Sequence, residues 1–467
     1  MTAPSKDAPN QSEGELNTSS RRADWTSRNH DQATRRAIEE DARYFLRQSV
    51  STPCLTAIAK AEGAYIEDLQ GRRYLDFHGN NVHHIGYGHP RLRQAIARQM
   101  DDLPFAPRRF AAEPATSFAR KLIDIAPRGL SKVLFTTGGS DAVEVALKLA
   151  RAATGRHKMV SFWDSFHGAG FGASSVGGEQ LFRSYVAGPL LPGTEHVAPF
   201  ACYRCPYGYP DLDGEPKLDF CKVTCANFVR SVLEKEGDIA AVIAEPARAV
   251  PYLPPPGCWT EVKQACEDHG ALLIFDEIPT GLGKTGRMFA CDHDDVTPDI
   301  LVIGKALGGG ILPIAAVLAR DHLDVADRYA LGHYTHEKNP VTARAGLTTI
   351  EIIEDEGLVE NAAALGKEAM ARLQQMKADH PLIGDVRGRG FLIGIELVKS
   401  REGKEPANDL AEEVFYRCLD QGLSFKITMG NTLTLTPPLI LAREQMETAL
   451  DVIDKSIKEA AVSVGLA

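Results

Sequence analysis

Four stretches of this chain combine a reactive side chain with the apolar runs and glycines that could position it. Lys305 closes the run ILVIGK and precedes three glycines, Gly308 to Gly310. Burial there would cost the ammonium its hydration and favour a neutral, nucleophilic amine, the form a Schiff-base lysine requires. The plainer reading of this residue alone is a lysine whose stem follows the strand end while its head stays in water. Asp276 follows the apolar run ALLIF. A carboxylate so placed needs a cationic partner. A protonated pyridine nitrogen would serve, as would an internal ion pair, and a helix cap is a further reading. The spacing from 276 to 305 fits one strand–helix–strand step, which would set both groups at the carboxyl ends of neighbouring strands.

The third stretch is TTGGS (136–140), directly ahead of the helical pattern DAVEVALKLAR. Free backbone N–H groups at such a glycine-rich helix entry bind phosphate, and the Ser140 hydroxyl could join Gly139 there. Simple capping by Ser140 or Asp141, with Glu144 in the first turn, explains the same residues. The fourth is SFHGAG (165–170), after the run KMVSFW. Phe166 could stack on a planar ring or be a core aromatic.

These groups need a scaffold. KVLFTT (132–137), KMVSFW (158–163), IAAVIAE (239–245), ALLIFDE (271–277) and ILVIGK (300–305) are short and apolar, with helix-length amphipathic stretches between several of them. The alternation predicts an α/β fold with a mostly parallel sheet covered by helices on both faces. AYIEDLQGRRYLDF reads as two strands around Gln70-Gly71. The expected organisation is a flexible N-terminal tail (1–33), an N-terminal part of a small domain (34–85), a large domain (86–340) and a C-terminal small α/β domain (341–467). A long helix is expected over 341–379 and another near 443–460.

Composition narrows the function class. Lys and Arg total 52 against 62 Asp and Glu, for a net charge of −10. That argues against nucleic acid or an anionic membrane as partner, both of which need a basic face. No run approaches the ~18 apolar residues of a membrane span, and the first 25 residues lack a signal-peptide core. Nine cysteines make a disulfide framework improbable, and a cytoplasmic location is expected. Cys202-x-x-Cys205 and Cys221-x-x-x-Cys225 have near zinc-ribbon spacing, with free thiols in an insertion loop as the alternative. Gly388-Arg389-Gly390 reads as a tight turn rather than a dinucleotide loop.

Together the four stretches resemble a pyridoxal 5′-phosphate (PLP) site. The chain is similar to the class III aminotransferase family of PLP fold type I over residues 45 to 460. The resemblance rests on YLDF…GYGHP (74–90), TTGGSDAVEVALKLAR (136–151), FHG (166–168), AEP (244–246), PPPG (254–257), FDEIPTGLGKTG (275–286), IGKALGGG (303–310), NP (339–340), RGRGFLIGIEL (387–397) and PPL (437–439). It implies a mostly parallel seven-stranded sheet and PLP as cofactor. It also implies Lys305 as the Schiff-base lysine and proton carrier, and Asp276 on the pyridine nitrogen. Gly139 and Ser140 would hold the phosphate, Phe166 would stack on the ring with His167 beside it, and Glu245 would belong to the cofactor site. Thr335 would reach the phosphate from a neighbouring subunit, in a homodimer or larger assembly.

The chain departs from the family where substrate is chosen. Pro279 stands where many members have Gln, and THEKNP (335–340) replaces TFGGNP. Thr434 stands where many members place an arginine that grips an α-carboxylate, a role threonine cannot fill. FHGNNVHHIGYGHP (77–90) resembles ethanolamine-phosphate phospho-lyases, and the CYRCP segment resembles an ammonia-lyase branch acting on a hydroxylated aminophosphonate. Asn80, Asn81, Arg108, Arg109 and Arg248 are the candidate substrate contacts, each arginine being equally readable as a surface ion pair. The expected reaction removes ammonia by loss of the β-hydroxyl. The alternatives are an ω-aminotransferase for a carboxylate-free amine and a phosphoethanolamine-type phospho-lyase. The expected substrate is a small anionic amine.

Overall fold

The structure, a computed structural model, describes residues 19–48, 51, 53–183, 188–210 and 218–466. At the N-terminal side, β1 (Ile58–Glu62), β2 (Tyr65–Asp68) and β3 (Arg73–Asp76) form an antiparallel meander turning at Gly71. The main sheet comprises β4 (Leu130–Thr136), β5 (Lys158–Phe162), β6 (Thr194–Val197), β7 (Ile239–Ala244), β8 (Leu272–Asp276), β9 (Ile300–Ile303) and β10 (Ala315–Arg320). The C-terminal part adds β11 (Ile383–Arg389), β12 (Leu392–Leu397), β13 (Leu423–Ser424), β14 (Lys426–Thr428) and β15 (Thr432–Leu435).

The main sheet runs in the order β4-β10-β9-β8-β7-β5-β6 and is parallel except for β10, which pairs antiparallel with both neighbours. All five expected strands are present. Two more, β6 and β10, complete the seven. TEHV is too polar and AAVLAR too rich in alanine to stand out in the sequence. β7 and β9 are buried at every residue, as strands covered on both faces must be. The helix Gly139–Thr154 covers one face through Ala142, Val143, Ala146 and Ala150, all fully buried.

β8 and β9 are direct parallel neighbours, with Asp276 opposite Val302. No α-helix joins them, contrary to the spacing-based expectation. Residues 277–299 form a loop with a single 3₁₀ turn, Ala290–His293. The buried Glu277 carboxylate holds that loop, accepting the N–H groups of Ala290 at 2.5 Å and Cys291 at 2.8 Å. Those bonds take the place of helical hydrogen bonds, so the loop can stay irregular while buried.

The second correction concerns the N-terminus. Residues 1–18 lie outside the described part, but 20–33 are not a tail: Ser20–Asn29 is a helix, followed by another, Gln32–Tyr44. One large side chain explains this. Trp25 is 1% exposed, packs at 5.9 Å from the Tyr416 ring, and donates its indole N–H to Asp420 at 2.8 Å. A single indole buries enough apolar area to dock an otherwise polar segment. Asp420→Ala is therefore expected to lower stability by about 1–2 kcal/mol, the cost of an unsatisfied buried indole donor. Denaturant unfolding would measure it, and an unchanged midpoint would mean that Trp25 docks by packing alone.

The C-terminal sheet runs β11-β12-β15-β14, and β13 extends the N-terminal meander by pairing with β3. The helix expected over 341–379 is two, Pro340–Asp355 and Leu358–Asp379. Gly357, with φ of 62°, makes the left-handed break that other residues disfavour. Among the described residues, no helix is long and apolar enough to cross a membrane.

Candidate active site

Two adjoining cavities open at the carboxyl end of the main sheet, and Lys305 and Ala249 line both. The first, of about 190 Å³, holds the groups singled out in the sequence: Gly139, Ser140, Phe166, His167, Glu245, Asp276 and Lys305. The sheet explains their convergence. Gly139 and Ser140 follow β4, Phe166 and His167 follow β5, Glu245 follows β7, and Asp276 and Lys305 follow β8 and β9.

Asp276 is 2% exposed and fixed at both oxygens. Its Oδ1 accepts the Ile278 N–H at 3.0 Å, and its Oδ2 lies 2.8 Å from His167 Nδ1. The His167 ring is buried, and its Nε2 has no protein partner. Sequence reasoning set His167 beside the cofactor ring but missed its bond to Asp276, a contact across 109 residues of chain. Glu245 Oε2 accepts the Ala249 N–H at 3.0 Å, and Oε1 takes the Phe166 N–H at 3.4 Å. Glu245 thus ties together two segments of the wall. The Phe166 ring lies 4.5 Å from that of Phe182.

The helix entry is built without spare room. A Cβ on Gly139 would meet Ile278 Cδ1 at 2.7 Å, and one on Gly168 would meet Ser140 Oγ at 2.5 Å. Ser140 Oγ accepts the Ala169 N–H at 3.0 Å, which draws the FHG loop over the helix N-terminus. Lys305 has a φ of 45°, a left-handed conformation unusual for a lysine. Such strain is held only where the surroundings enforce it. The donor set fits PLP. A primary amine, a buried carboxylate and a helix entry rich in N–H groups face one cavity, and an unpartnered imidazole nitrogen lies among its lining residues. When bound, that cofactor supplies an electron sink for a carbanion next to an amine.

The second cavity, of about 170 Å³, is lined by His78, Asn80, Asn81, Lys426, Thr434 and Thr436. Gly79, Asn80 and Asn81 all have positive φ, at 43°, 47° and 59°. Asn81 is buried and its Oδ1 has no partner. Thr434 gives its hydroxyl to a 2.7 Å bond with Thr428 Oγ1. Behind this wall the buried Lys284 donates to the carbonyls of Thr436 at 3.3 Å and Pro437 at 2.7 Å. Burial pushes its ammonium down to about 7, with Asp76 opposing. Sequence reasoning singled out neither Lys426 nor Lys284. Lys284 lies in a matched motif, but its bonds reach 152 residues along the chain.

The arginines expected to contact substrate line neither cavity of their own chain. Arg108 pairs with Glu337 at 3.6 Å and bonds to the His333 ring. Arg109 is exposed. Arg248 is buried, donating to the Asp164 carbonyl and lying over the Tyr252 ring. Thr335 is exposed and lines neither cavity of its own chain. The four-cysteine arrangement also does not form. Among the described residues no group of three or more potential ligands assembles, and Cys225 Sγ instead lies 3.9 Å from that of Cys258.

Comparison with known proteins agrees with this geometry. Residues 47–457 match the family model Aminotransferase class-III. The chain is 45% identical to the (R)-1-hydroxy-2-aminoethylphosphonate ammonia-lyase of Vibrio splendidus, over 96% of this chain and 95% of that one. It is 37% identical to a leucine/methionine racemase of Thermococcus litoralis, over 90% and 95%. Among solved structures it resembles the omega transaminase of Pseudomonas jessenii in complex with PMP, with a TM-score of 0.86 and 30% identity over 92% and 99% of the two chains. The chain thus belongs to the class III aminotransferase family, as an enzyme of PLP fold type I that uses pyridoxal 5′-phosphate.

Proposed function

We propose that the protein is a PLP-dependent ammonia-lyase that converts (R)-1-hydroxy-2-aminoethylphosphonate to phosphonoacetaldehyde and ammonia. The observation that carries this reading is Thr434 in the wall of the second cavity beside Lys305, its hydroxyl already bonded to Thr428. Thr434 brings no guanidinium to that wall for an α-carboxylate of an amino acid or keto acid. The similarity to the Vibrio splendidus enzyme supports the same assignment.

Each residue then has a task. Gly139 and Ser140 hold the cofactor phosphate at the helix entry, with Thr335 of a second copy completing it in a homodimer. Phe166 would lie against the cofactor ring, and Asp276, oriented by His167 and Ile278, would pair with the ring nitrogen. Glu245 holds the Phe166 segment in place. Asn80 and Asn81 face the substrate. Lys305 would hold the cofactor through its Nζ, and that Nζ, once released, would take a proton from the carbon bearing the substrate amine. The neighbouring C–O bond breaks and hydroxide leaves as water with one proton. Release from the enzyme and addition of water gives the aldehyde and ammonia, so no second keto substrate is consumed. The reaction fits a cytoplasmic catabolic enzyme.

The test is ammonia release from the PLP-loaded protein with this aminophosphonate and no keto acid, with inorganic phosphate followed in parallel. The expected result is ammonia in step with phosphonoacetaldehyde and no phosphate. A strict requirement for pyruvate or 2-oxoglutarate would identify an aminotransferase instead, and release of inorganic phosphate a phospho-lyase.

A further inference from the structure

We infer that the CYRCP segment (202–206) braces the substrate side of the site, with Arg204 as a positioning residue that acts on the loop 248–252. The segment follows β6 in the chain, yet its side chains reach the C-terminal sheet. Arg204 Nε donates to one oxygen of Glu396 on β12, and Arg387 of β11 donates to the other at 2.8 Å. Lys404 donates to the Tyr203 carbonyl at 2.8 Å, and a Cβ on Gly384 of β11 would collide with the Tyr203 hydroxyl. Arg387 carries the hold onward. Its Nε donates to the Pro251 carbonyl, and its guanidinium lies 4.4 Å from the Tyr252 ring centre. Glu396 is 1% exposed. Burial works to raise its carboxyl, but Arg387 and Arg204 hold it below the usual carboxylate range. Glu396 is thus a charged link between two guanidiniums, joined by bonds of the strong, charge-assisted kind.

Pro251 decides what the brace controls. Its loop carries Ala249, which lines both cavities. Toward the first cavity the loop is tied separately, by the Ala249 N–H on Glu245 at 3.0 Å. Toward the second it rests on β12. A Cβ on Gly394 would meet Pro251 Cβ at 3.0 Å, and Gly394 is paired with Thr434 of that cavity's wall. Without Arg204, Glu396 loses one of the two bonds that fix its carboxylate, and Arg387 is aimed less firmly at Pro251. The loop then loosens on the Thr434 side while the cofactor side stays tied. Arg204 lines neither cavity, so its effect on substrate comes through Glu396 and Arg387.

The test uses the PLP-loaded full chain and follows the visible absorbance change on binding, which needs no turnover. Two probes are titrated at one pH. Methylamine is too short to leave the neighbourhood of Lys305; 2-aminoethylphosphonate extends beyond it, and its choice rests on the ammonia-lyase reading. Wild type is expected to bind the phosphonate more tightly. Arg204→Met is expected to raise the apparent Kd for the phosphonate by about 5- to 30-fold and to leave methylamine within about twofold. Glu396→Gln, nearly isosteric, is expected to give the same split, and the double variant no more than the larger single loss, because both act along one route. The Arg204 side chain is 29% exposed, so its variant is expected to fold and decides the matter even where Glu396→Gln does not fold. Equal loss for both probes would assign Arg204 to overall structure and overturn the inference. So would no loss for either probe, losses that add in the double variant, or a wild type that binds the phosphonate no better than methylamine. The ammonia assay fails separately: a split without ammonia release would leave the brace standing on an enzyme of different chemistry.

Discussion

Lys305→Ala is expected to abolish turnover, lowering kcat by about 10⁴-fold or more, while the fold survives. The size follows from the two tasks assigned to one nitrogen. On the proposed function Lys305 would anchor the cofactor as nucleophile and then move the proton, and a positioned proton carrier alone contributes roughly 10²–10⁴-fold. No other lysine lines the first cavity, among the described residues, so no neighbour can take over. Lys426 lines only the second. The fold should tolerate the change because the residue's strain is in the backbone. Alanine at a φ of 45° carries the same steric cost as lysine, and Lys305 is only half-buried. The measurements are ammonia release, thermal midpoint and the visible band of the lysine-bound cofactor. The band and the activity should disappear together at an unchanged midpoint. A variant keeping more than a tenth of wild-type activity would remove Lys305 from the mechanism.

Asp276→Asn should be the next most damaging change, lowering kcat by about 10²–10³-fold, the usual scale for losing one preorganised electrostatic partner. The substitution is nearly isosteric, so it opens no cavity beside the fully buried Phe275. The amide oxygen can still accept the Ile278 N–H now bonded to Oδ1. What disappears is the negative charge that faces His167 and that, on the proposed function, would pair with the cofactor's ring nitrogen. KM should change much less than kcat, because the ring's capacity to take up electrons matters as the proton leaves. His167→Ala offers a second reading of the same contact. It should leave the carboxylate charged but free to turn, with a smaller loss in kcat. A kcat within twofold of wild type for Asp276→Asn would mean that the carboxylate serves only to hold His167.

Much of this site was legible along the chain because its parts are local. A strand end followed by glycines, a helix or a polar turn is a short-range pattern. The TTGGS entry, FHG, the FDEIP segment and IGK each stand within a few residues of their own strand. The runs behind the last three, β5, β8 and β9, are buried almost throughout, so β-branched and apolar residues had to cluster there. That periodicity made the sheet readable even though β6 and β10 escaped notice. The missing helix between β8 and β9 marks the limit of spacing arguments. A loop held by Glu277 spans the same distance as a helix and leaves no periodic trace.

What the chain could not disclose is which way long side chains turn and which distant segments face one another. Arg108, Arg109 and Arg248 were reasonable cations by type and neighbourhood. An arginine can point along several directions from one Cα, and tertiary contacts chose Glu337 for Arg108 and Tyr252 for Arg248. The bond of His167 to Asp276 and the hold of Lys284 on the Pro437 carbonyl join residues more than a hundred positions apart. Lys426 stood unnoticed in a short strand until the β14–β15 register set it against Thr434. The reactive groups, their cofactor and the sheet that carries them were written in local pattern, because each depends on its immediate neighbours. The second cavity was decided by strand register and by the packing of segments far apart in the chain, because only those determine which side chains share one enclosed space.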